Sequence, residues 1–208
     1  MSPLDLNELL APAHTALVTV EVQLGVVGDH SLLPDLAKAA EPILPRIAAL
    51  AAAARGAGVP VVHCTADSRA DGLGASTNAR LFGAMRKRGA PVDSRGIVHP
   101  AIGAEDHDLV LGRLHGVSPM TGTSLDAVLR NSGVSTIVAT GVSLNVAVLG
   151  FAFEAVNHGY QLVIPRDAVA GIDEAYVDAL FDRTLSLLAT ITTTDTILDR
   201  WATSFSTQ

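Results

Sequence analysis

Apolar runs and helix-patterned segments alternate along this chain at a steady beat. Residues 15–22 (TALVTVEV) form a short β-branched run bounded by Pro12 and Gly25, which predicts a buried strand. Residues 34–57 are rich in Ala and Leu and close on Gly56 and Gly58, as a helix does; Pro42 and Pro45 predict a break near 41–44. Further strands are predicted at 59–65, 107–112, 135–140, 160–165 and 188–193. Helices at 123–132, 145–158, 173–187 (capped by Asp173) and 195–204 fill the later intervals. Six βα units with near-continuous apolar strands predict an α/β fold, a three-layer doubly wound sheet of six mostly parallel strands of Rossmann-like type.

In such a sheet the ligand crevice lies beyond the carboxyl ends of the strands. The candidates are therefore Glu21 and Gln23, then 63–67, 113–118, 141–147, and Arg166 with Asp167. The stretch 66–106 breaks the beat, with room for a short helix at 78–88. Loops this long inside compact domains are usually functional, so it is read as bordering the active site of a single domain spanning 1–208.

Composition narrows the chemistry. A net charge of −7 argues against nucleic acid and anionic membrane as partners. The amino terminus carries Asp5 and Glu8 and no basic region, and no run reaches about 18 apolar residues, so a cytoplasmic protein is expected. The single cysteine, Cys64, excludes an intrachain disulfide and a Cys-rich zinc site; at the end of an apolar strand it is expected to be a core residue rather than a relocated nucleophile facing the crevice. No G-x-G-x-x-G, phosphate-loop or G-x-S-x-G motif occurs, and the seven histidines are scattered, so neither cofactor nor metal is expected. His63, Asp67 and Asp71 are the one imaginable ion cluster; solvated loop acids are the simpler reading. Arg166 and Asp167 are expected to pair locally, and Trp201 and Phe205 to pack or form an interface.

Three segments carry a larger pattern: ALVTVEVQ at 16–23, DLVLGRLHGVSPMTGTSLDAVLR at 108–130 and ATGVSLNVAV at 139–148, followed by FEAVNHGYQLVIPRDAVAG at 153–171. In order and interval they resemble the isochorismatase-like cysteine hydrolase superfamily. That resemblance implies an Asp after the first strand, a Lys after the third and a nucleophilic Cys opening the helix after the fourth. It also implies a backbone oxyanion hole beside a non-proline cis peptide. This chain has Glu21 for the Asp, Ala147 for the Cys, and Arg113 or Leu114 for the Lys; neither Lys38 nor Lys87 lies nearby. Without a thiol at 147 the covalent thioester route is closed.

The resemblance then implies a hydrolase of a small polar metabolite, active as a dimeric or tetrameric homo-oligomer. Glu21 would be the general acid/base, Arg113 the anchor for an anionic group and His115 an aid to proton transfer. Gln23, Ser143, Asn145, Val146 and Ala147 would bind substrate, although Ser143 and Asn145 are equally explained as helix caps. A vinyl-ether-cleaving branch of the superfamily relies on its carboxylate rather than a thiol. The alternative is an inactive relative that binds a small molecule or a partner subunit. A pocket filled by Leu144 and Met120, with nothing polar converging on Glu21, would favour it.

Overall fold

The computed structural model describes residues 5–29, 31–88 and 96–204. A short helix, α1 (Leu6–Leu9), precedes strand β1 (Thr15–Val20). Then come α2 (Leu24–Val27), α3 (Pro34–Ala40), α4 (Leu44–Gly56), β2 (Val61–Ala66), α5 (Arg80–Arg88) and β3 (Leu109–Arg113). The remainder runs α6 (Leu125–Asn131), β4 (Thr136–Gly141), α7 (Leu149–Asn157), β5 (Gln161–Pro165), α8 (Glu174–Leu180), α9 (Ser186–Leu188), β6 (Thr190–Thr192) and α10 (Thr194–Ser204). The predicted break between α3 and α4 is a 3₁₀ turn at Glu41–Ile43, where Pro42 removes a helical donor. The sequence pattern missed α1 and α2, each a single turn too short for periodicity to register.

The six strands form one sheet in the order β3-β2-β1-β4-β5-β6, and every pairing is parallel. Alternation along β1 sends Leu17 into one apolar layer, with Ile47, Leu50 and Ala54 of α4 and Trp201 of α10. Ala16, Val18 and Val20 enter the other, with Leu125 of α6 and Phe151 of α7. Both faces are covered, as parallel strands require. Trp201 is a core residue whose indole N–H donates to the Leu10 carbonyl at 3.1 Å; Phe205 lies outside the described residues.

Strand order reverses between β1 and β4, which places the crevice at their carboxyl ends. Gly141 sits at that junction with φ 109°, and a Cβ there would come within 2.2 Å of the Val20 carbonyl oxygen. Only glycine lets the two strand ends converge so closely. The expected local pair between Arg166 and Asp167 does not form. Arg166 reaches Asp178 (2.6 Å) and Asp182, whereas Asp167 accepts from the Thr194 N–H and faces Arg46. Among the described residues no helix is long and apolar enough to cross a membrane.

Candidate active site

The chain leaves β1 at Glu21 with φ 55°, a left-handed conformation costing a non-glycine residue on the order of 1 kcal/mol. Its N–H donates to the Cys64 carbonyl at 2.8 Å, anchoring the turn to the end of β2. The carboxylate meets Arg113 at the end of β3, which donates from Nη2 to Oε1 of Glu21 and to the Val117 carbonyl at 3.0 Å. Of the two residues eligible for the basic position, Arg113 is thus the one that meets Glu21, while Leu114 is 39% exposed. The Glu21 side chain is 15% exposed and that of Arg113 only 3%. Burial pushes the Glu21 carboxyl above the usual carboxylate range, and the adjacent guanidinium opposes this without cancelling it. Nε and Nη1 of Arg113 are buried with no acceptor among the described residues.

Glu21, Arg113 and Ala147 line a cavity of about 400 Å³. Leu144 and Met120 do not fill it; both lie in the apolar layer beneath. His115 lines the rim, exposed to solvent, and makes no hydrogen bond among the described residues. Its loop is held from behind by Glu154 of α7, which accepts from the Ser118 hydroxyl and from the Thr121 N–H (3.2 Å) and hydroxyl (2.7 Å).

Gln23 also lines the cavity, but its amide is committed elsewhere. Oε1 accepts from the Ala66 N–H at 2.7 Å and Nε2 donates to the Ala66 carbonyl at 2.9 Å, clamping the exit of β1 to that of β2. The expected substrate contact is therefore first a structural clamp.

The turn after β4 contains the cis peptide Val142–Ser143. It opens into a wide π-helical turn, Leu144–Val148, rather than the α-helix expected from 145. Ser143, Val146 and Ala147 face the cavity. Asn145 does not line it; its side-chain oxygen lies against Gly171. The Val146 N–H, expected to be free for an anion, donates to the Ser143 carbonyl at 3.2 Å. Ser143 and Asn145 make no side-chain cap.

Asp67, a candidate by its place at the end of β2, lines the cavity, and so does Ser68, which the candidate segments did not include. Oδ1 of Asp67 and Oγ of Ser68 are buried without a partner among the described residues, which corrects the solvated reading for Asp67, while Asp71 is 53% exposed and keeps it. The signal for Asp67 is position alone, since residues 63–67 close a strand; Ser68 lies one residue beyond that range. Among the described residues no group of three or more His, Cys, Asp or Glu could hold a metal ion. Cys64 is 2% exposed, and burial pushes its thiol up to about 12 despite the charge of Arg113. It is the core residue its strand suggested.

Residues 15–196 match the isochorismatase domain family. The isochorismatase family protein YecD of Escherichia coli O157:H7, itself uncharacterised, is 31% identical over 74% of this chain and 78% of its own. A ureidoacrylate amidohydrolase, RutB of Pseudomonas savastanoi pv. phaseolicola, is 30% identical over 83% of this chain and 78% of its own. A cysteine hydrolase structure from Pseudomonas syringae pv. phaseolicola superposes with a TM-score of 0.82 at 24% identity, covering 93% and 94% of the two chains. The family match spans most of the chain, and relatives about 30% identical run along it: this chain belongs to the isochorismatase family.

Proposed function

We propose that the protein hydrolyses a small, polar, carbonyl-bearing metabolite with Glu21 as general acid/base and without a covalent thiol intermediate. The observation that carries this is the buried Glu21–Arg113 pair at the floor of a cavity whose nucleophile position is Ala147. A water molecule bound against Glu21 gives its proton to the carboxylate as its oxygen adds to the substrate carbonyl carbon. The carbonyl electron pair moves to oxygen, and the nearby guanidinium offsets that charge. Collapse of the adduct re-forms the carbonyl and expels the leaving heteroatom, which takes the proton back from Glu21. His115, at the rim, reaches the reaction through substrate or water rather than by direct contact with Glu21.

Relatives named as amidohydrolases favour an amide-type C–N bond as the one cleaved. This reading keeps the expectation of a cytoplasmic homo-oligomer, which size-exclusion chromatography with light scattering checks. The activity test is a turnover panel of small amides, ureido acids and vinyl ethers, run on the protein and on Glu21→Gln. Turnover that falls by about 10²–10⁴-fold in the variant supports the role of Glu21. Equal rates remove Glu21 from the mechanism, and binding without turnover across the panel favours the inactive relative.

A further inference from the structure

The cavity holds a second carboxylate that the hydrolytic step does not use. Asp67 lies just past β2, its N–H tied to the Arg113 carbonyl at 2.8 Å. Its side chain makes no ion pair or hydrogen bond among the described residues, although Oδ1 is sealed from solvent. The neighbouring Ser68 hydroxyl is equally buried and unpartnered. Buried polar groups are nearly always satisfied, so two adjacent unpartnered groups on residues that line a cavity mark a place where a ligand can supply donors.

The backbone around Asp67 is shaped for it. A Cβ on Gly112 would lie 2.0 Å from Oδ2 of Asp67, and one on Gly96 would lie 2.6 Å from Oδ1. Gly112 sits inside β3, where glycine weakens a strand unless something must approach the backbone closely. Here the close neighbour is the Asp67 carboxylate.

The charge balance says what the donor is. Glu21 and Arg113 neutralise each other, and Arg69, also in the lining, is paired with Asp71 at 2.7 Å. His115 and Arg86 also line the cavity, but both are exposed to solvent. Among the described lining residues that leaves Asp67 as the carboxylate without an ion pair. We propose that Asp67, assisted by Ser68, is a specificity-determining residue that binds a cationic nitrogen group of the substrate (ammonium, amidinium or guanidinium) while Glu21 acts at the carbonyl. The proposal rests on the reading of this cavity as the substrate site.

Acetamidine and acetamide test it, being planar and nearly isosteric but differing in charge. Their affinities are measured by ligand-observed NMR titration on the protein, Asp67→Asn, Gly112→Ala and Glu21→Gln, each first confirmed folded by circular dichroism. The protein is expected to prefer acetamidine by about tenfold, the margin of a charge-assisted over a neutral hydrogen bond. Asp67→Asn should reduce that preference below about twofold. Gly112→Ala, which keeps the carboxylate but fills its notch, should also erode it. Glu21→Gln should retain it even where turnover is lost, so failure of the hydrolytic reading and failure of this one give different results. Equal binding of the two probes to the unmodified protein overturns the proposal, as does a preference that survives Asp67→Asn or disappears instead with Glu21→Gln.

Discussion

Two clusters of buried charge lie a few residues apart in this fold, and they differ in completeness. In the first, Glu21 and Arg113 face a cavity, and guanidinium nitrogens go without acceptors. The second lies on the α4 side of the sheet, at the entry of β3. Thr19 and His63 share a hydrogen bond at 2.8 Å, and Nε2 of His63 reaches Asp108 at 3.2 Å. Asp108 also accepts from Arg55 (2.6 Å) and from the Glu105 N–H (2.8 Å). A hydroxyl, a histidine and an aspartate in a row look more like a catalytic triad than anything in the cavity does. Yet Thr19 and His63 are each 1% exposed, and the polar atoms of this row have partners. The satisfied network is architecture, tying the entry of β3 to β2 and α4. The unsatisfied one faces a space for a ligand. What distinguishes them is the unpaired groups, not the roster of residue types.

That contrast can be broken by exchanging roles. The largest expected effect is on rate: Glu21→Gln lowers turnover by about 10²–10⁴-fold, about 3–5 kcal/mol of barrier, while moving the melting temperature by no more than about 3 °C. The amide still accepts from Arg113, which limits the loss of stability. Asp108→Asn should do the reverse. It removes the charge held by Arg55 and His63 and destabilises the fold by about 2–3 kcal/mol, a fall of roughly 5–10 °C in melting temperature, with turnover unchanged. A loss of activity in folded Asp108→Asn would bring the network into the mechanism.

A smaller effect separates the clusters by pH. Burial holds the His63 imidazole below its ordinary value, so the ring folds neutral. Below about pH 6.5 the unfolded chain takes up a proton that the folded one refuses, so stability falls as acid is added. Urea titrations between pH 7 and 5 should show a loss of about 1–2 kcal/mol that His63→Gln flattens. Turnover should follow the other cluster. With Glu21 as base, kcat/KM climbs with pH through a value above the ordinary carboxylate range, about 4.3, and this limb disappears in Glu21→Gln. The smallest effect is a negative one. The Cys64 thiol, at about 12, should resist iodoacetamide at pH 8 until the protein is unfolded, whereas Ala147→Cys should label in the native state because that position lines the cavity.

Much of the fold was legible because its causes are local. Apolar runs of strand length, a proline break at 42 and glycines after helices mark the elements without reference to any partner. Glu21 and Arg113 were legible for a related reason: a charge that directly follows an apolar strand must find a partner or a cleft. What stayed hidden depends on residues distant in sequence. Asp67 is positioned by Gly112 and Gly96, in a loop with no periodicity to orient a reading. The Thr19–His63–Asp108 row joins three segments that no motif links. Asn145 was misplaced because the helix after β4 begins with a π turn, which rotates its side chain toward Gly171 and away from the cavity.

The β3 edge gives the satisfied network a further meaning. Among the described residues β3 is the outermost strand on its side, with Leu109 and Val110 40% and 47% exposed and no further strand along its outer edge. Open edges of this kind recruit other chains into intermolecular sheets. Asp108 stands one residue before β3, so the clasp from Arg55 and His63 fixes the entry of a five-residue edge against its own sheet. Loosening it would do more than lower a melting temperature. It would free a short apolar ribbon to pair between molecules, so Asp108→Asn should aggregate in proportion to protein concentration, while Glu21→Gln, which leaves the clasp intact, should remain dispersed.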